Sequence, residues 1–100
     1  MKNYSIVYSE KAINDVDDLF YFIKNEYQSP ITAKKYIKGI INTIEILSKQ
    51  PESFSISYRK SIQQYGFDIR RINYKKISIL YSVYDELIYI HRIMASSLIQ

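Results

Sequence analysis

The period of apolar and polar positions changes twice along the chain. From Asn3 to Tyr8, Tyr4, Ile6 and Tyr8 alternate with Asn3, Ser5 and Val7, a period of two rich in β-formers that predicts a short strand. From Glu10 to about Glu26 the period lengthens. Ile13, Val16, Phe20, Ile23 and Tyr27 recur at steps of three and four with Leu19 beside them, while Asp15, Asp18 and Lys24 lie off that stripe. This predicts a helix with one core face. Ser9 suits its N-cap, because the hydroxyl can accept from an unpaired backbone N–H of the first turn, and Glu10 adds a favourable negative charge there.

Gln28-Ser29-Pro30 breaks the pattern and restarts it, since proline costs nothing at the first helical position. The second helix carries Ala33, Ile37, Ile40, Ile41, Ile44 and Leu47 inward and Lys34, Lys35, Lys38 and Glu45 mostly outward, and Pro51 stops it. So short a connection predicts an antiparallel helical hairpin. Glu52 to Asp68 shows no clean period. A stretch of that length in a small domain calls for a functional role or for structure of its own, such as a short strand or helical turn.

After Gly66 the period of two returns, with strands predicted over Ile69–Asn73, Ile77–Tyr84 and Leu87–Met94. Tyr74-Lys75-Lys76 and Asp85-Glu86 are the turns of this meander. On the middle strand Ile77, Ile79, Tyr81 and Val83 share a face that should pack under the helices. Ser78, Leu80, Ser82 and Tyr84 share the other, which reads as partly polar and open for binding. The fold class is therefore α+β: β-α-α-β-β-β, with a helical hairpin packed on one face of a mostly antiparallel sheet.

Composition narrows the chemistry. One hundred residues, 47% hydrophobic and 24% charged, suit one globular domain over 1–100. With no Cys and one His, thiol catalysis and Cys- or His-rich metal sites are excluded, and no metal or cofactor is expected. Two isolated glycines, Gly39 and Gly66, form no phosphate-cradling loop. The N-terminus lacks a signal-peptide run and no stretch is long enough to span a membrane, so a soluble, cytoplasmic protein without membrane partners is expected.

The net charge of +4 is polarised: residues 10–26 carry five acids against two bases, a local −3, and residues 59–76 carry six bases against Asp68, a local +5. A basic segment of this kind attracts phosphate backbones or an acidic protein. Arg70 and Arg71 fall on opposite sheet faces, so they do not form one clamp. Lys75 and Lys76 sit at a hairpin tip, and Arg59 and Lys60 in the irregular segment. His91 is the one side chain that titrates near neutrality; it alternates with Leu87, Tyr89 and Ile93, while Arg92 is in phase with Ile88, Ile90 and Met94. Of eleven tyrosines, Tyr21, Tyr36, Tyr81 and Tyr89 are explained by packing, and Tyr58, Tyr65, Tyr74 and Tyr84 are the surface candidates for stacking on nucleobases.

Ser9-Glu10-Lys11-Ala12 leads into a helix with Asp17-Asp18-Leu19 and a second helix ending before Pro51. Ile69-Arg70-Arg71-Ile72, Ile79-Leu80-Tyr81-Ser82-Val83-Tyr84-Asp85 and Ile90-His91-Arg92-Ile93 follow. Taken in this order, over nearly the whole chain, the chain resembles the RelE/ParE superfamily of toxins from bacterial type II toxin–antitoxin modules. The resemblance implies growth inhibition relieved by a cognate acidic antitoxin, with either DNA gyrase or the ribosome and its mRNA as target. RelE-type nucleases commonly place an Arg where this chain has Ser78, and many members end in a His-Gly-Arg-Arg-Asp-like tail where this chain has Ala95-Ser96-Ser97-Leu98-Ile99-Gln100. Both departures favour the ParE-like branch and a protein target such as gyrase. A ribosome-dependent endoribonuclease would draw its catalytic groups from Arg59, Lys60, Arg70, Arg71, His91 and Arg92. Target or phosphate binding would fall to Arg70, Arg71, Lys75, Lys76 and Arg92. A module that binds antitoxin without toxicity is the third possibility.

Overall fold

A computed structural model describes residues 4–99, so Asn3 of the predicted first strand and Gln100 of the tail lie outside the described residues. The order is β1 (Ser5–Tyr8), α1 (Glu10–Tyr27), α2 (Pro30–Leu47), a 3-10 turn (Pro51–Ser53), α3 (Lys60–Gln63), β2 (Arg70–Tyr74), β3 (Ile77–Tyr84), β4 (Leu87–Ala95) and a final 3-10 turn (Ser96–Leu98). The predicted elements thus form where the periodicity placed them. The irregular segment carries the helical turns that its length called for.

Both helices start as their caps dictate. The Ser9 hydroxyl accepts from the Ala12 N–H at 2.9 Å, and that of Ser29 accepts from Thr32 with Pro30 in the first turn. Gln28 takes a left-handed φ of 49° and closes α1 on Lys24, which frees the chain to reverse. The hairpin packs on a four-stranded sheet of order β1-β4-β3-β2, antiparallel except for the β1–β4 pair. That parallel pairing follows from the topology, since the two helices carry the chain from β1 across the sheet.

Ile77, Ile79 and Tyr81 are buried under the helices, as expected, together with Ile40, Ile44, Leu47, Ile88, Ile90 and Ile93. The α2 stripe buries Ala33, Ile40, Ile44 and Leu47 as expected, but the phase of the α1 stripe is different. Ala12 is fully buried, whereas Ile13 is 53% and Tyr27 65% exposed. Small side chains let the helix backbones approach their neighbours, and α1 turns its alanine, not its larger neighbour, toward the sheet. Tyr21, assigned to packing, stands 59% exposed on the outer side of α1.

The second sheet face is also closed, contrary to the open surface expected of it. Ser78 and Leu80 are fully buried, and Ser82 is 1% exposed. Ile62 and Ile69 form a second core with Leu80, against which Tyr65, Met94 and Ile99 pack, so the 52–68 segment and the C-terminal turn cover this face. The first sheet contact of that segment is backbone: Ile56 bridges Arg70, and the Ser57 N–H donates to the Ile69 carbonyl.

Pairing runs Leu80 to Arg92 and then Tyr81 to Ile90, so β4 holds one more residue than β3, a bulge at His91. It reverses the alternation. Ile93 consequently joins Ile88 and Ile90 in the main core, and Met94 goes to the second core, opposite to the phases that uninterrupted alternation predicts.

Between the layers, the buried Tyr81 hydroxyl donates to the Pro51 carbonyl at 2.6 Å, tying β3 to the stop of α2. Burial raises that phenol well above its usual range and keeps the donor proton in place. Tyr81→Phe leaves the Pro51 carbonyl unpaired and should lower unfolding free energy by about 1–2 kcal/mol, with the m-value unchanged in a urea titration.

Candidate functional site

The side chains singled out by charge and chemistry come from four places: the β2–β3 hairpin, its tip, the bulge of β4 and the turn of α3. Arg70, on the first residue of β2, faces away from Arg71. Its Nη1 donates to the carbonyls of Glu52 and Phe54, so it holds the start of the 52–68 segment. Arg71 donates through Nε to Asn73 Oδ1 at 3.1 Å and to Ser78 Oγ at 3.0 Å.

Ser78 stands where the resemblance to RelE-type nucleases implies an Arg, and its hydroxyl is saturated. Its one proton goes to Asn73 Oδ1 at 2.8 Å, so the 2.7 Å contact with Ser96 must have Ser96 as donor. Ser78 Oγ thus accepts from Ser96 and Arg71 and donates once. The C-terminal turn is docked by that bond and by Ile99 in the second core. The tail that departs from the basic pattern is part of the sheet's cover.

The His91 ring is hydrogen-bonded to Ser82 on the neighbouring strand. The Ser82 hydroxyl donates to the Phe67 carbonyl at 2.7 Å, so at its 2.8 Å contact with His91 it accepts, and the ring proton sits on Nε2. Tyr89 meets the ring edge-on at 4.8 Å between centroids. Gly66 lies flat on it: a Cβ there would come within 2.7 Å of the ring. Burial lowers the imidazole pKa from its ordinary value, so the ring is neutral at neutral pH.

Arg92 reaches Asp15 on α1 in a two-pronged pair, Nε to Oδ2 at 2.7 Å and Nη2 to Oδ1 at 2.9 Å, and its guanidinium lies 5.5 Å over the Tyr65 ring. The Asp15 hydrogen bond raises the Arg92 pKa. Asp15 also accepts from the Ile93 N–H at 2.9 Å. At the hairpin tip, Lys75 adopts a φ of 52° and sets its ammonium over Tyr36 and Tyr74. Lys76 is exposed, as are Arg59 and Lys60 at the start of α3, and these three make no side-chain hydrogen bond or ion pair among the described residues. Of the six nuclease candidates, Arg70, Arg71, His91 and Arg92 are thus bonded within the fold, and Arg59 and Lys60 stand exposed at the turn of α3. Among the described residues, no three His, Asp or Glu side chains gather as a metal site, and no helix is long and apolar enough to cross a membrane.

A different surface emerges on the helical side. Tyr8, Ile13, Val16, Ile41, Ile44 and Ile93 line an apolar groove of about 190 Å³ between α1 and α2, with Asp17 at its edge. Ile13 and Ile41, both placed in core stripes by periodicity, are its exposed walls. Burial, and secondarily Glu45, raises the Tyr8 phenol pKa, so its floor is uncharged. The width of the predicted stripes was the available signal: each held more apolar positions than one packed face needs.

The family model that describes the ParE toxin of the parDE type II toxin–antitoxin system matches residues 6–97. The chain belongs to the ParE toxin family. The toxin fold is also that of a solved structure titled as the chromosomal ParDE toxin–antitoxin system from P. aeruginosa. The TM-score is 0.73 at 18% identity, over 93% of this chain and 96% of that one. No curated protein matches the chain. The matched stretch runs from β1 into the final 3-10 turn, with the groove on the hairpin side and Ser82 and His91 beneath the 52–68 segment.

The neutral, half-buried His91 makes a pH prediction for the toxin. Its native pKa lies below the 6.5 of a free imidazole, so the unfolded chain binds the proton more readily. The ring's contribution to stability is then complete above about pH 6.5 and is lost as pH falls below it. His91→Gln should show a smaller drop in unfolding midpoint than the native toxin between about pH 7.5 and about pH 5.5. Equal drops would show that the ring does not titrate against the fold.

Proposed function

We propose that this toxin acts by binding and poisoning a protein target, DNA gyrase, in the cytoplasm, as one domain over residues 1–100, and that an acidic antitoxin neutralises it. The observation that carries this reading is the commitment of Arg70, Arg71, His91 and Arg92 to bonds inside the fold. Cleavage of a phosphodiester needs cations around the scissile phosphate and a group free to take a proton. Here the imidazole is covered by Gly66 and donates to Ser82, and the buried Ser78 replaces the cation expected on the middle strand. Binding asks less: an exposed surface with shape and charge.

The helical hairpin offers such a surface. The apolar groove suits the nonpolar side of an antitoxin segment, and Lys34, Lys35 and Lys38 on α2, all exposed and without ion-pair partners among the described residues, suit its acidic side. A carboxylate placed on the α1 wall of the groove meets Asp17 and no cation there.

Induced expression without antitoxin should arrest growth with gyrase-linked DNA breaks, and purified toxin should inhibit gyrase supercoiling while 5′ ends of messenger RNA stay unchanged. Codon-positioned cuts with unaffected gyrase would make it a ribosome-dependent endoribonuclease. Undisturbed growth would make it a binding module without toxicity. Separately, Ile13→Glu should weaken antitoxin binding by about tenfold or more in a pull-down or titration, because it buries an unpaired carboxylate. Unchanged affinity would remove the groove from the interface.

A further inference from the structure

The 58–68 loop is anchored inward and decorated outward. Ile62 is buried in the second core, Gly66 rests on the His91 ring, and the Phe67 carbonyl is held by the Ser82 hydroxyl. Yet Phe67 and Tyr58 are 82% and 78% exposed, the two most exposed large apolar side chains among the described residues. They are brought to the same neck of the loop by backbone pairing, Ile56 with Arg70 and Ser57 with Ile69, which sets the residues after Ser57 beside those before Ile69. Arg59 and Lys60 follow Tyr58 directly, exposed and unpaired among the described residues. On the other side of the loop an open cleft of about 450 Å³ is lined by Gln63, Gln64, Gly66, Phe67 and Asp68.

We propose that this loop is a binding surface for single-stranded nucleic acid, with Tyr58 and Phe67 stacking on bases and Arg59 and Lys60 meeting phosphates. A backbone fixed at three inner points presents its aromatic rings with little ordering cost on binding. Exposed rings beside unpaired cations match a strand whose bases are unstacked, because every base offers a π-face and every linkage a negative charge. A duplex hides those faces, so the loop should favour the single strand. Gln63, whose amide has no bonded partner among the described residues, is placed to meet a base edge in the cleft. The surface shares no residue with the apolar groove, and the proposal is independent of which protein the toxin poisons.

The test is fluorescence anisotropy of purified full-length toxin with a short fluorescein-labelled single strand of mixed sequence, alone and annealed to its complement. Binding should favour the single strand and weaken between about 50 and about 200 mM salt. Arg59→Ala with Lys60→Ala should flatten the slope of log affinity against log salt by about 1.4, two phosphate contacts on a single strand. Tyr58→Ala and Phe67→Ala should each cost about tenfold in affinity. All four side chains are exposed, so unfolding midpoints should stay at the native value, and Lys11→Ala with Lys49→Ala, which removes the same charge from exposed positions elsewhere, should bind as the native toxin does. Absence of binding, a preference for the duplex, native affinity in both aromatic variants, or an equal loss in the Lys11 and Lys49 double variant would overturn the proposal.

Discussion

A single extra residue in β4 decides how this small sheet is used. His91 has no partner across the β3–β4 ladder, and the alternation reverses around it. On one side of the reversal Ile88 and Ile90 enter the main core, and beyond it Ile93 does the same. β1 ends its pairing at Ile90, so the backbone of β4 beyond that point needs other partners. The start of α1 supplies them: the Ser9 N–H bonds the Ile90 carbonyl, the Ser9 hydroxyl bonds the His91 carbonyl, and Asp15 takes the Ile93 N–H. Ser9 is therefore both helix cap and sheet partner, using its one proton for β4 and its lone pairs for α1.

The same economy of donors and acceptors governs the second face. Ser78 and Ser82 lie beneath a cover of Ile62, Tyr65, Ile69 and Ile99, where an unpaired hydroxyl is costly. Each serine donates once and accepts from a neighbour whose own role this settles: Ser96 must donate to Ser78, and His91 must donate to Ser82. No buried side-chain nitrogen or oxygen among the described residues is left without a partner. Groups that would be reactive elsewhere are thus structural here. A guanidinium that closes a loop on two carbonyls, as Arg70 does, or that grips a carboxylate with both prongs, as Arg92 does, has its charge directed inward.

What could be read in advance was local. Ser9 and Ser29-Pro30 announce helix starts because capping is a contact over three residues, and Ile77–Tyr84 stands out because its β-branched run is bounded by polar turns. What escaped was tertiary. Nothing near His91 marks a bulge, Asp15 lies 77 residues from Arg92, and Ser78 and Ser82 look like solvent-facing positions until a distant segment covers them. The inward turn of Ala12 in place of Ile13 escaped for a related reason: apolar pattern ranks size and hydrophobicity, while close packing at a helix–sheet contact selects for smallness. The same misphasing concealed the groove, whose walls had been counted as core.

A sheet closed on both faces has no flat surface left to bind with, so recognition must come from what covers it. The helical hairpin covers one side and shows an apolar groove with lysines on α2; the 58–68 loop covers the other and shows two aromatic rings with two cations. The covers reach the sheet through different cores, one built on Ile40, Ile44 and Tyr81 and the other on Ile62, Ile69 and Leu80. Changes on the outer surface of either cover leave the packing of the other untouched, because the contacts that hold each in place point inward. One 100-residue fold can on this basis carry two independently variable recognition surfaces, with its buried hydrogen-bond network as the fixed part between them.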